Sequence, residues 1–261
     1  MKLTVLRGFA FAVIAVFGLA AGSTLSLAAP QEKTQSFSNT QKRDIEKIVH
    51  DYLVKNPEIL IEVMTELDAK QASAESQRQS DAVAANRKAI YEDPSSFVAG
   101  NPNGNVTIVE FFDYHCGFCK RAFGPLMKAV HDDGNIKLIL KEFPILGPDS
   151  VVASHAAIAA RKQGKYFEMH QALYANKGEL DEKKIMQIAK SVGLDTAKLR
   201  RDMADPEIEA TIARNEELAR ALGVTGTPGF VIGGKMHPGA LSTDELASAV
   251  KVARETCGAN C

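Results

Sequence analysis

The 261-residue chain carries 31 Lys+Arg against 32 Asp+Glu, a formal net charge of −1, with 45% hydrophobic and 24% charged residues. That balance suits a folded domain with a hydrophobic core and gives no basic footprint for nucleic acid. Four cysteines (Cys116, Cys119, Cys257 and Cys261) are too few to staple a chain of this length, so they read as chemical rather than architectural.

The first predicted element is an export leader. Lys2 and Arg7 flank the start of an apolar run, Gly8 to Gly22, and "STLSLAAP" then offers small residues for cleavage near Ala28 or Ala29. The run falls short of the ~20 residues a spanning helix needs. Residues 1–28 therefore read as a cleaved secretory signal rather than an uncleaved anchor. Cleavage there removes Lys2 and Arg7 and leaves 29 basic against 32 acidic residues. Export puts the cysteines where disulfides persist.

Residues 39–91 read as a helical stalk. Ile45, Ile48, Val49, Tyr52 and Leu53 recur at helical steps. "KNPEI" interrupts the pattern, with Asn56 as N-cap and Pro57 at the first position of a second helix that runs to Tyr91. Ile59, Leu60, Ile61, Val63, Met64 and Leu67 cluster near its start, and beyond them Val83 and Ile90 are the only bulky aliphatics. Two short helices do not bury such a cluster alone. Self-association is expected, with a trimer favoured over a dimer; a helical hairpin folded on the main domain is the alternative.

Residues 92–105, "EDPSSFVAGNPNGN", have linker composition. "VTIVEFF", Val106 to Phe112, is β-branched and aromatic and predicts a buried strand. "CGFC" follows and opens a helix, and "NIKLILKEF" gives a second strand, so a βαβ unit with a parallel pair is expected. About 148–222 reads as a helical insert, followed by the strand "GFVIGG", the strand-flanking "KMHPG" and a last helix with a Ser242–Glu245 capping box. The result is an α/β domain over 106–256 with a cysteine-containing tail, 257–261.

A Cys-X-X-Cys after a strand puts the first sulfur at a helix N-terminus, where free N–H groups and the dipole favour a thiolate. Cys116 is the candidate nucleophile and Cys119, one turn in, the candidate resolving thiol. Zinc is a competing reading, but its other ligands would have to be the distant Cys257 and Cys261. A structural Cys116–Cys119 disulfide closes too small a ring to constrain the unfolded chain. "GVTGTPGFVI" sets Thr227-Pro228 at a strand entry. A cis bond there would open the neighbouring backbone to an extended substrate, and an ordinary trans proline is the alternative. Lys120 and Arg121 add positive charge or are merely solvated, and His115 is expected to face solvent.

"VEFFDYHCGFCKR", with "GTPGFVIGG" roughly a hundred residues later, resembles the thioredoxin-fold Dsb proteins of the bacterial periplasm, in the DsbA-like branch. "RDIEKIVHDYLVKNPEILIEVMTELDAKQ" is similar to the N-terminal oligomerisation segment of ScsC-type proteins, named for suppression of copper sensitivity. The resemblance implies a thioredoxin fold with a helical insertion, a cis proline at Pro228 and catalysis at Cys116 and Cys119. It also implies a buried proton-relaying acid at Glu110. Thr227 and Pro228 would bind substrate, and no cofactor is implied beyond the redox-active pair.

Within the motif, Gly117 and Phe118 tune the pair. Phe118 brings no charge, so the disulfide should be less oxidising than with a charged residue there. "CGFC" is similar to the "CGYC" of periplasmic isomerases, and Thr before the proline matches that group. An oligomeric, periplasmic isomerase or reductase is expected, acting on misoxidised exported proteins and recharged by a membrane thiol reductase. The alternatives are a dithiol oxidase and a copper-protective thiol protein binding Cu(I) at Cys116 and Cys119, with Met236-His237 assisting.

Overall fold

The computed structural model describes residues 37–257. The predicted leader, the side chain of Cys257, and Cys261 fall outside them. Strand β1 (Phe97–Gly100) opens the domain, and β2 (Val106–Phe112) is buried at every residue. Helix α4 (Gly117–Asp133) follows β2 and ends at Gly134, whose φ of 68° suits a residue without Cβ. β3 (Ile136–Glu142), β4 (Gly229–Ile232) and β5 (Lys235–Pro238) complete a sheet of order β1-β3-β2-β4-β5. β2 and β3 are parallel and the other pairs antiparallel. The central β2 is the strand that delivers the cysteines.

Between β3 and β4 lie five α-helices: α5 (Pro148–Ala160), α6 (Tyr166–Ala175), α7 (Glu182–Ser191), α8 (Thr196–Met203) and α9 (Pro206–Ala221). Asp181, Asp195 and Asp205 cap the last three, each accepting from a first-turn N–H. The final helix, α10 (Thr243–Cys257), starts at the expected capping box, with Ser242 N donating to Glu245 Oε2 at 2.8 Å. This is the thioredoxin fold with a helical insertion.

The sheet has two apolar faces, as period-two alternation requires. Ile108, Phe112, Leu138 and Leu140 face α4, α10 and the insert. Val109, Phe111, Ile139 and Val231 face Leu218 and Leu222 on the other side. Each fully buried Phe contributes roughly 1.5–3 kcal/mol by leaving water.

The segment before the domain corrects three expectations. Asn56 does not cap the second helix. It ends α1 (Asn39–Lys55), where its backbone N–H and its Nδ2 both donate to Tyr52 O, so it satisfies a C-terminal carbonyl. The stalk does not end at a domain boundary, because Val83 of α2 (Glu58–Ala85) and Ile90 of α3 (Arg87–Tyr91) pack in the Phe111–Val231 cluster. Residues 92–105 are not a free linker either. Phe97–Gly100 pairs with β3, and Phe97 stacks on Tyr166 with centroids 4.4 Å apart. Buried Lys141 secures the join, its Nζ donating to Ala89 O (2.8 Å) and Asp93 Oδ2 (2.9 Å).

The chain divides into residues 1–60 and 61–261. In the first unit α1 buries no residue, and Ile45, Ile48, Val49 and Tyr52 are exposed. In the second, Ile61, Val63, Met64 and Leu67 of α2 are also exposed. Among the described residues no helix is long and apolar enough to cross a membrane.

Candidate active site around Cys116

β2 ends at Phe112, and the turn Asp113–His115 brings the chain to Cys116, the N-cap of α4. Asp113 builds that turn and was not singled out from the sequence. Fully buried, it accepts from His115 N (2.7 Å), Leu146 N (2.9 Å) and Ser150 Oγ (2.8 Å), so one carboxylate ties the motif to the loop after β3 and to α5. His115 is half-buried with Nδ1 3.1 Å from Ser150 Oγ, which corrects the expectation that it faces solvent.

Cys116 Sγ accepts from Cys119 N at 3.4 Å and donates to Thr227 O at 3.1 Å. Thr227-Pro228 is cis. The first cysteine is 6% exposed and the second 0%, so a substrate sulfur can approach Cys116 but not Cys119. Burial, then the charge of Glu110, pushes the Cys119 thiol far above its ordinary range. Cys119 therefore needs help to lose its proton.

Glu110 lies under the pair on β2, fully buried rather than at an exposed edge. Burial first, then the charges of Cys116 and Glu142, push its carboxyl up to about 8. Neither oxygen has a hydrogen-bond partner. A carboxyl so placed holds its proton at neutral pH and gives it up within the range where thiols react.

Phe118 is 60% exposed, and the Arg121 guanidinium lies 4.4 Å from its ring centroid. Phe118 brings no charge of its own but holds one beside the motif. A Cβ on Gly117 would meet Arg121 Nη1 at 3.5 Å, an ordinary contact. Lys120 is not merely solvated: its Nζ donates to Asn176 O at 3.1 Å. Phe118, Thr227, Pro228, Val224 and Met236 line one cleft of ≈ 460 Å³, with Gln79 of α2 at its wall. Among the described residues no group of three or more His, Cys, Asp or Glu is placed to hold a metal.

The model of the DSBA-like thioredoxin domain matches residues 107–251, and that of the copper resistance protein ScsC N-terminal domain matches residues 41–74. A thioredoxin-like oxidoreductase from Silicibacter pomeroyi is 45% identical, with TM-score 0.65, over 66% of this chain and 99% of that one. A linker-deleted ScsC of Proteus mirabilis is 31% identical, with TM-score 0.65, over 85% of this chain and 99% of its own. The Na(+)/H(+) antiporter NhaA 1 of Salinispora arenicola is 33% identical over 155 residues, 59% of this chain. The chain spans about a quarter of the length of the curated relatives it matches. The reach of the thioredoxin match, from the strand before the cysteines into the last helix, shows that the chain belongs to the DsbA-like thioredoxin family of thiol–disulfide oxidoreductases, preceded by an ScsC-type N-terminal domain.

Proposed function

We propose that the protein is a periplasmic, oligomeric disulfide isomerase and reductase for misoxidised exported proteins. The observation that carries this reading is the run of exposed apolar side chains on α1 and the start of α2. Ile45, Ile48, Val49 and Tyr52 of α1, and separately Leu60, Met64 and Leu67 of α2, are exposed at three- and four-residue steps that call for a partner helix. Further copies of the chain would cover them, a trimer rather than a dimer, and several active sites would then surround one client at high effective concentration.

In this reading a client presents its disulfide in the Phe118–Pro228 cleft. Cys116 thiolate attacks one client sulfur, an S–S bond forms, and the other client sulfur leaves as thiolate. A second client thiol then displaces Cys116, which completes isomerisation. When none is available, Cys119 attacks Cys116 and the client leaves reduced. In that escape step the ionised form of Glu110 takes the Cys119 proton, so the step gains as pH rises towards about 8. A membrane thiol reductase returns the pair to the dithiol.

A second reading, dithiol oxidase, is favoured by Arg121. Its guanidinium over Phe118 brings positive charge to the motif without a charged intervening residue. One experiment separates the two. Scrambled-ribonuclease refolding is compared for the full chain and a variant lacking residues 40–74, with mass by light scattering. The isomerase reading expects an oligomer that refolds the substrate and a monomer that refolds it several-fold more slowly. A monomeric full chain, or equal refolding by both, sinks it.

A further inference from the structure

The core beside the redox pair holds a second buried acid. Glu142, the last residue of β3, is 3% exposed. Its Oε1 accepts from Tyr114 OH (3.0 Å) and Tyr166 OH (2.7 Å), and its Oε2 from Ser154 Oγ (2.7 Å). Register ties it to Glu110. On parallel β2 and β3, Glu110 sits opposite Leu140 and Phe112 opposite Glu142, so period-two alternation puts both acids on the face that carries Phe112 and Leu140. That face also carries Cys119.

Two features mark Glu142 as a group that changes state. Tyr114 has one proton and two partners, Glu142 Oε1 and His170 Nδ1, each at 3.0 Å. It can donate to an ionised Glu142. It can equally accept from a protonated Glu142 and donate to His170 instead. In addition, the buried polar atoms without a partner gather in this core: both Glu110 oxygens, Tyr174 OH and His170 Nε2. Such a concentration needs a reason beyond packing. Burial, outweighing its three hydroxyl donors, pushes Glu142 up to about 8, and the charge of Asp113 adds to that.

We propose that Glu110 and Glu142 act as one coupled carboxyl pair, in which Glu142 is a positioning residue that sets when Glu110 can take the proton of Cys119. The other groups facing the pair are Asp113 and Tyr114 after β2, Ser154 on α5, Tyr166, His170 and Tyr174 on α6, and the two cysteines at α4. Burial holds His170 near 3, hence neutral, so no cation in this set offsets the two acids. Charge on either acid opposes charge on the other. In the escape step Cys119 Sγ bonds Cys116 Sγ, the Cys116–client S–S bond breaks, the Cys119 proton passes to the acid pair, and the client thiolate takes a proton from solvent. The dithiol loses two electrons and the client gains them.

The inference rests on Glu110 being the proton acceptor, and its test keeps the two claims apart. Reduced full-length protein carrying Cys257→Ser and Cys261→Ser in every sample reacts with an aromatic disulfide whose thiol is coloured. The first thiol release reports attack by Cys116 and the second reports resolution by Cys119. In Glu142→Gln the second phase should keep its amplitude while its pH midpoint falls by about one unit or more. Glu142→Asp should restore the midpoint. If Glu142→Gln does not fold, Tyr166→Phe removes one donor, disfavours ionised Glu142, and should move the midpoint the same way by less. Glu110→Gln should abolish the pH dependence of the second phase. An unmoved midpoint in folded Glu142→Gln or Tyr166→Phe, with Glu110→Gln still effective, overturns the coupling and spares the acceptor. An ineffective Glu110→Gln overturns both.

Discussion

Cys116 Sγ lies 3.1 Å from the carbonyl oxygen of Thr227, and the two residues are 111 positions apart. The contact places the nucleophile against the backbone that an extended client would pair with. In the proposed mechanism attack and substrate pairing would thus share one edge. Replacing Cys119 with Ser should trap client adducts on Cys116 that survive non-reducing electrophoresis, while Cys116→Ser should trap none. Equal trapping by both variants would reverse the assigned roles.

Glu110 predicts an unusual pH dependence of stability. Its folded value of about 8 is above the ordinary 4.5, so the native state binds more protons than the unfolded chain between those values. The contribution is therefore present below about pH 4.5 and is lost as pH rises through about 8. Glu110→Gln should remove that slope and raise stability at pH 9 by up to about 5 kcal/mol. Urea unfolding of the reduced protein at pH 5 and pH 9 checks it; parallel wild-type and variant curves would falsify the burial of a protonatable Glu110.

The Lys141–Asp93 tie predicts an asymmetry. Lys141 Nζ is fully buried while Asp93 is partly exposed. Asp93→Ala leaves a buried ammonium without its charge partner and should cost about 3 kcal/mol. Lys141→Met leaves a carboxylate that water can reach and should cost clearly less. Thermal melts of the two variants decide, and equal losses count against the account.

Phe118 and Arg121 predict a pair of opposite potential shifts. Phe118→His puts a titratable cation into the motif and should raise the reduction potential by about 30 mV or more at pH 6. Arg121→Ala removes the cation held over Phe118 and should lower it. Equilibration against glutathione measures both, and a rise in Arg121→Ala would mean that its charge does not reach the sulfur.

The buried ends of α2 and α3 set where the stalk can be cut. Removing residues 40–74 takes exposed apolar side chains and should leave a folded, monomeric domain. Extending the cut to Tyr91 also removes Val83, Ile90 and the carbonyl of Ala89 that Lys141 uses, and should cost several kcal/mol. Circular dichroism melts of the two truncations separate these outcomes.

Much of this was legible because it has a period or a motif. The strand–helix–strand unit, the helical insert and the capping box at Ser242 each leave a local mark in the sequence. β1 does not, because its four residues sit among Gly, Asn and Pro and become a strand only by pairing with β3. Asp113, Tyr114, Glu142 and His170 were equally hidden. A buried polar cluster is assembled from separate elements, and no spacing announces it. Asn56 is a different case, since the same Asn-Pro step serves an N-cap or a C-cap, and its two local bonds to Tyr52 O make it the latter. Arg121 changed the reading of Phe118 in the same way, by a contact one turn along the helix.

Helix α2 carries exposed Leu67 near one end and buried Val83 near the other, with no glycine or proline between them. At 1.5 Å per residue that interval is a rod of about 24 Å. It works as a ruler: the point where copies would meet and the point where chemistry occurs are held apart by a length the chain cannot shorten without breaking helical hydrogen bonds. In the proposed oligomer such a rod would keep the redox sites of different copies apart and leave the gap between them for a client.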